Sequence, residues 1–583
     1  MNNYLKKIFY ILDSDRKKLP KLVVFFLAVS MLDLAGLVLI APYISLAFDP
    51  QTFQQSQIFG QISLFMGLPT EQKPLLIILG ILLLFIFLMK GIFGVWINYK
   101  IILFSRDQQV RLRSLLMKTY QSLPYTTYLS RNSSEYIYSI QVLTGNFGGV
   151  LMAMLRTLSD LIIATVILVL LAVSHGWALL FLLTFLSLII LSYYFFTRKK
   201  LNNFGRYSND AATELVKGIH EGIEGFKEIR IFGRENFFYK KVVGAATKES
   251  KFAAKSEMIS SIPRYLLEVF IVNFVVFLVV GAILLNYDMI LILPMLAMFG
   301  VAALRLLPIA SALSSSLVQL RYSDDAISKL YNDLKNYPFT HKNLPFDSIN
   351  EVESIFNSLQ INNISFNYPN QELSALNNLS IKINAGESIG FVGSSGAGKT
   401  TLVDVFLGLL VPQKGSILYN TKNLQNSMNL WRSQVAYLPQ QVFLIDDTLR
   451  RNIALGIDDN DIDDIKLHSS IRQSSLTDIV ERLPEGIETI IGERGIRLSG
   501  GQRQRIAIAR AFYYDKNVFI MDESTSALDN ETEEEIVEEI KLLKGKKTLI
   551  VIAHRHSTVM YCDTIYRLKN GQIVESGKPD KIL

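Results

Sequence analysis

With 583 residues the chain has room for several domains, and half of its residues are hydrophobic while only 19% carry charge, which excludes an ordinary soluble protein. A net charge of +7 would suit nucleic acid, but the basic residues of the first half sit in loops between apolar runs, so no nucleic-acid partner is expected. The single cysteine, Cys562, excludes an internal disulfide and a cysteine-based metal cluster.

Before residue 22 the chain mixes Lys6, Lys7, Arg16, Lys17, Lys18 and Lys21 with Asp13 and Asp15, and the apolar run that follows is too long for a signal peptide. It reads as a first membrane span that stays uncleaved. Six stretches are long enough to cross a bilayer, which takes about 20 helical residues: 22–46, 74–101, 148–173, 177–197, 265–286 and 289–317. The N-terminus, 102–147 and 198–264 are rich in Lys and Arg. By contrast, 47–73 holds one Lys and no Arg, and the links at Ser174-His175-Gly176 and 286–288 are very short. This alternation predicts six spans with both termini in the cytoplasm. The chain thus divides into an α-helical transmembrane domain over 1–320 with long cytoplasmic loops, a polar linker over 321–345, and a second domain over 346–583 of α/β composition.

The outer loop 51–72 carries Phe53, Ile58, Phe59, Ile62, Phe65 and Leu68 among Gln and Ser, a spacing that fits either an amphipathic helix in the outer interface or a re-entrant packing helix. Charges inside spans are costly and face protein or a cavity. Arg156 and Asp160, four apart, are predicted to pair within their helix. Lys90 and Arg305 have no opposite charge within four residues. With Arg264 at the edge of the fifth span, they fit an anionic substrate and a structural role equally.

In the second domain, Ile364-Ser365-Phe366-Asn367-Tyr368 reads as a strand. Ile389 to Val392 is another, and it feeds Gly393-Ser394-Ser395-Gly396-Ala397-Gly398-Lys399-Thr400, a G-x-x-x-x-G-K-[ST] phosphate loop. Its glycines let backbone N–H groups wrap phosphates at the N-terminal end of the next helix. Lys399 would reach the β/γ-phosphates, the Thr400 hydroxyl would hold Mg²⁺, and Thr401 would add a phosphate contact. Further on, Leu498-Ser499-Gly500-Gly501-Gln502 heads a helix-like run, and the apolar 518–521 ends in Asp522-Glu523. The phosphate loop alone means a bound nucleoside triphosphate. With LSGGQ just ahead of the Asp-Glu pair, the set resembles the ATP-binding cassette (ABC) family.

That resemblance implies ATP as substrate and assigns roles residue by residue. Tyr368 is the aromatic that stacks on adenine. Gln440, in Tyr437-Leu438-Pro439-Gln440, touches Mg²⁺ and the attacking water; Gln441 is the alternative one residue on, and the preceding Leu-Pro favours Gln440. Asp522 positions Mg²⁺ through water, Glu523 polarises the attacking water, and His554 is the switch histidine at the γ-phosphate. Ser526 to Asp529 match the loop at the subunit contact, while Ser524 and His556 stand where Ala and Leu are commoner. Ser499, Gly500, Gly501 and Gln502 close on ATP held by the opposite domain, so one phosphate loop and one LSGGQ per chain imply a homodimer with two sites.

Span number, membrane half first and long loops resemble the exporter type, whose loop tips dock on the nucleotide-binding domains. Arg131 to Glu135 and Gly222 to Lys227 are the candidate tips, with a solvated helical hairpin as the alternative. Among exporters, Leu5 to Phe9, Ser261 to Glu268 and Ala303 to Pro308 are similar to the PglK-type flippases of lipid-linked oligosaccharides. The implied function is ATP-driven flipping of a polyprenyl-pyrophosphate oligosaccharide across a bacterial inner membrane. The alternative is export of another amphipathic cargo, such as a lipid A-like lipid, a hydrophobic drug or a peptide.

Overall fold

The computed structural model describes residues 2–48, 72–284, 289–337 and 355–583, apart from 370, 372, 493–494, 496–497, 523–533, 535–536, 539–540 and 553–554. The amphipathic stretch expected over 51–72 lies, except for Gln72, outside the described residues. By its internal contacts the chain forms two units, Met1–Leu123 with Arg131–Thr340, and Pro124–Ser130 with His341–Leu583.

Up to residue 336 the main elements are helices. They are α1 (Asn2–Leu12), α2 (Leu19–Phe48), α3 (Gln72–Gln121), α4 (Tyr125–Leu129), α5 (Ser133–Tyr138), α6 (Thr144–Glu224), α7 (Phe226–Ile231), α8 (Glu235–Leu284), α9 (Met289–Tyr322) and α10 (Asp324–Asn336). The expected spans fall in α2, α3, α6 (two of them), α8 and α9. Among the described residues, Lys73–Gln121 and Ser133–Val169 are long and apolar enough to cross a membrane. On α3, Ile77, Ile81, Leu84, Leu88, Ile92, Val95 and Tyr99 recur every three or four residues and are all more than half exposed. A stripe of that size would be unstable in water and fits hydrocarbon. At 1.5 Å per residue α3 and α8 are each about 75 Å long, more than twice the hydrocarbon thickness of a bilayer, so both continue well beyond it.

The helix α6 runs on through Ser174-His175-Gly176, where the sequence reads as a short link. It is not straight. In a straight helix residues 144 and 209 would stand about 100 Å apart, yet Tyr138 Oη, just before the helix starts, donates to Asn209 Oδ1 at 3.0 Å. The run therefore doubles back within itself. Its second half lies antiparallel to α8, since Tyr207 meets Phe252 and Lys241 pairs with Glu221 further along.

Two features of the helices differ from expectation. Arg156 is held across to the neighbouring helix, where its Nη2 donates to Asn98 Oδ1 at 3.1 Å, rather than by Asp160 on its own helix. An uncharged acceptor on α3 is nearer the guanidinium than the carboxylate one turn away. The segment 321–345, expected as a linker, instead contains α10, whose Ala326, Ile327 and Leu330 are fully buried with Ile8, Ile11, Leu112 and Leu116. Its apolar positions keep helical spacing inside a segment that is polar on average, so composition hid a one-sided helix.

Pro263 lies inside α8 and has no N–H to give the carbonyl of Ile259. The hydroxyl of Tyr193, on the returning half of α6, donates to that carbonyl. A side chain from a neighbouring helix thus replaces the missing backbone bond.

The second unit carries two sheets. In the antiparallel one, β2 (Leu376–Asn384), β1 (Ser358–Phe366), β4 (Lys414–Tyr419) and β5 (Lys422–Asn423) lie in that order. The six-stranded sheet has the order β10 (Gln572–Gly577), β9 (Thr564–Lys569), β3 (Ser388–Val392), β8 (Thr548–Ile552), β7 (Val518–Asp522) and β6 (Val435–Leu438), parallel from β9 to β6. Every residue of β7 and β8 is buried, as expected of central parallel strands covered on both faces. Ile361, Ile383 and Ile417 of one sheet and Phe391, Ile520 and Ile550 of the other share one core with α11 (Lys399–Phe406), the helix after β3.

Candidate nucleotide site

Strand register levels one edge of the larger sheet. Phe391 of β3 and Asp522 of β7 both lie opposite Ile552 of β8, and Leu438 of β6 lies opposite Met521. The phosphate loop, Gln440, Glu523 and His554 each follow one of these four strand ends within two residues. Ligands in open α/β sheets bind outside such carboxyl ends. Glu523 and His554 themselves lie outside the described residues, as do Ser524 and 526–529.

The loop Gly393 to Gly398 needs glycine for space as well as for conformation. A Cβ on Gly393 would come 2.4 Å from the Leu568 carbonyl oxygen, and one on Gly398, at φ +100°, 2.6 Å from that of Ala375. Ser394, Ser395 and Gly396 are exposed at the crest while Ala397 is buried beneath them. Lys399, 5% exposed, donates from Nζ to the carbonyls of Gly393 and Ser394 at 2.9 and 3.1 Å, so its charge is aimed into the loop. Thr400 is exposed at the start of α11, where a metal-bound phosphate would meet it. Thr401 is buried, with its Oγ1 3.3 Å from Tyr368 Oη. The Tyr368 ring stands edge-on to Phe366 and thus flanks the loop.

At the strand ends Gln440 is exposed and Asp522 is 7% exposed. Two groups beside Asp522 were missed by sequence reading. Tyr437 hydrogen-bonds Asp522, and burial followed by the charges of Asp522 and Asp404 raises its phenol. Asp404, on α11, is pushed up to about 6 by burial and then by the charge of Asp522. The signal was present, because Asp404 is the one acid within the apolar run Leu402-Val403-Asp404-Val405-Phe406. Thr400, Gln440 and Asp522 supply the hydroxyl, amide and carboxylate oxygens that suit a hard cation such as Mg²⁺.

Ser499 caps a further helix, α12 (Gly500–Tyr513). Its Oγ accepts from Gln502 N at 3.3 Å, while Gln502 Oε1 accepts from Ser499 N at 2.9 Å. This reciprocal box fixes the helix start and leaves Gly500 and Gly501 at an end suited to an anion. Gln502, expected at the nucleotide, here completes the cap.

The loop tips are placed differently from expectation at one position. The second unit includes Pro124–Ser130, with Tyr125 of α4 packed on its core, whereas Arg131 to Glu135 belong to the first unit. Burial and then Asp404 raise the Tyr125 phenol, so α4 lies near α11. Arg131 and Glu135 pair with each other just after that segment. Gly222 to Lys227 straddle the end of α6 and the start of α7, where Ile223, Phe226, Ile231 and Phe232 are each about two-thirds exposed or more.

Of the intramembrane cations, Lys90 lies with Nζ 5.4 Å from the Phe87 ring centroid. Arg264 Nε donates to Glu268 Oε1 at 3.0 Å. The Arg305 side chain lies outside the described residues.

Residues 21–303 match the family described as ABC transporter transmembrane region, and 376–526 match the family described as ABC transporter. An ATP-dependent lipid A-core flippase of Saccharophagus degradans is 28% identical over 525 residues, 89% of this chain and 87% of that protein. Another, from Ralstonia nicotianae, is 39% identical over 241 residues, 41% of each chain. The solved structure of a bacterial Atm1-family ABC exporter with ATP bound superposes with a TM-score of 0.78 at 21% identity, covering 98% of this chain and 97% of that one.

Proposed function

Since the chain belongs to the ABC transporters, joining an exporter-type membrane domain to an ATPase domain, we propose that it flips an anionic amphipathic lipid of the lipid A class across the bacterial inner membrane. The observation that carries this reading is the match to a lipid A-core flippase across nearly the whole of both chains, membrane half included. The lipid-facing stripe on α3 agrees with a cargo whose tails stay in the bilayer.

In the proposed cycle the 393–398 loop and Lys399 cradle the ATP phosphates, and Tyr368 contacts the adenine. Thr400, Gln440 and Asp522 would hold Mg²⁺, which would supply positive charge to offset that of the phosphates. Glu523 accepts a proton from the attacking water and His554 contacts the γ-phosphate. Ser499, Gly500 and Gly501 of a second copy complete each site, so the working form is a homodimer with both termini and both ATPase domains in the cytoplasm. Gly222 to Lys227, with Ile223 and Phe226 exposed, is the second candidate loop tip. Lys90, Arg264 and Arg305 are the candidate contacts for a phosphate headgroup, and Arg264 is already paired with Glu268.

A second reading, a polyprenyl-pyrophosphate oligosaccharide, rests on the local runs 261–268 and 303–308. Purified protein in liposomes, given either fluorescent lipid, separates the two. ATP-dependent movement of the lipid A-type probe alone, lost in Glu523→Gln, supports the main reading. Movement of the polyprenyl probe alone would replace it.

A further inference from the structure

The chain passes between its two units three times, at 123–124, 130–131 and 340–341. Residues beside the first two crossings converge on one carboxylate close to the third. Tyr120 Oη donates to Asp333 Oδ2 at 2.6 Å, and Arg131 Nη1 lies 3.1 Å from each Asp333 oxygen. Asp333 is 9% exposed, near the end of α10. Arg131 also donates to Glu135 at 2.9 Å and sits 6.0 and 5.0 Å from the Tyr120 and Tyr136 ring centroids. Burial and then Asp333 raise the Tyr120 phenol, so it stays a donor. Burial opposes the Arg131 charge, but Asp333 and Glu135 outweigh it.

The helix that bears Asp333 is itself fixed. Lys7 donates to Ser328 at 2.7 Å, Asn209 donates to Asp325 at 3.0 Å, and Lys329 pairs with Asp210 at 3.2 Å. Tyr10 meets the Tyr331 ring edge-on. A cavity of about 380 Å³ borders the cluster, with Arg131, Asp333 and Lys329 in its wall, so substitutions there need not overpack. Stability does not demand this arrangement, because apolar residues often replace a buried ion pair without loss. What the arrangement provides is geometry.

We propose that Asp333 is a positioning residue for the coupled reaction, clamping both flanks of the 124–130 tip to the helix that leads to the third crossing. Movement of the membrane helices then reaches the tip and the main connection together, from one point. Tyr120 holds the incoming strand of the tip and Arg131 the outgoing one. Without the clamp, α4 is a single turn, closed by Thr127 N and Tyr128 N on Pro124 O, on two untethered legs.

The test uses the full chain in lipid nanodiscs and needs no cargo, so it stands apart from the lipid assignment above. Asp333→Asn is expected to speed amide exchange in 124–130 about tenfold while β3 and α11 are unchanged. The ATPase kcat falls about fivefold with KM for ATP within about twofold. Arg131→Asp does the same, and Arg131→Asp combined with Asp333→Arg recovers at least half of the loss. Tyr120→Phe, a milder change, moves exchange about threefold in the same direction and serves if Asp333→Asn does not fold. Unchanged tip exchange in a folded variant would overturn the proposal. So would faster exchange throughout the ATPase unit with KM rising alongside, or a charge exchange that restores nothing.

Discussion

In the ATPase unit the phosphate loop, Gln440 and Asp522 lie at or within two residues of strand ends along one level edge of a single sheet. In the membrane unit Lys90, Arg156 and Arg264 lie on three separate helices, each beside a different partner. The first arrangement concentrates charge-handling groups on one reacting centre, where each geometric error is costly. The second spreads weak contacts over a large surface, which suits a bulky lipid and tolerates individual losses. An exporter can therefore change cargo with little change to its engine.

Substitutions should separate the two regimes. The largest effect is expected from Glu523→Gln, which keeps ATP binding and lowers turnover at least a hundredfold in a steady-state ATPase assay. Gly393→Ala should come next. Its Cβ would press on the Leu568 carbonyl at 2.4 Å, and ATP affinity in an equilibrium titration should fall at least tenfold. In the membrane unit Lys90→Ala should slow lipid movement about fivefold and Arg264→Ala about twofold or less. A hundredfold loss from Arg264→Ala would break the contrast, since it would place concentrated chemistry in the membrane half.

The smallest effect concerns Asp404, whose carboxyl is pushed up to about 6 from the ordinary 3.8. A raised carboxyl pKa makes folding less favourable as pH rises through that interval, because the folded state holds a proton that the unfolded state releases. Asp404→Asn should therefore stabilise the nucleotide- and cation-free protein by about 1 kcal/mol at pH 7.5, after discounting for partial solvent access. The gain should vanish toward pH 4, and thermal melts at both pH values check it.

The same contrast governs what the sequence discloses. The phosphate loop and LSGGQ are legible because backbone geometry fixes residue types at fixed spacing, as the crowding at Gly393 and Gly398 shows. The strands at 389–392 and 518–521 were readable as short apolar runs. Asp404 escaped because its significance depends on the proximity of Asp522, 118 positions away in the chain. In the membrane half, the stretches expected as spans fall on helices, but partner choice was not local. Arg156 takes Asn98 rather than Asp160, and Arg131 serves as an anchor for Asp333 rather than a tip. Burial of α10 depends on α1, more than 300 residues upstream, so averaged polarity was a poor guide there.

Pro263 gives α8 the kinematics of a lever with unequal arms. From Pro263 to Leu284 the helix measures about 32 Å, close to the hydrocarbon thickness of a bilayer, and from Glu235 to Pro263 about 42 Å. The fulcrum thus falls at the membrane boundary. A tilt of about 5° there carries the far end, toward the Phe226 tip, through nearly 4 Å. Because the Tyr193 hydroxyl rather than a backbone amide satisfies the Ile259 carbonyl, the fulcrum turns on a side-chain bond that can be exchanged without unwinding the helix.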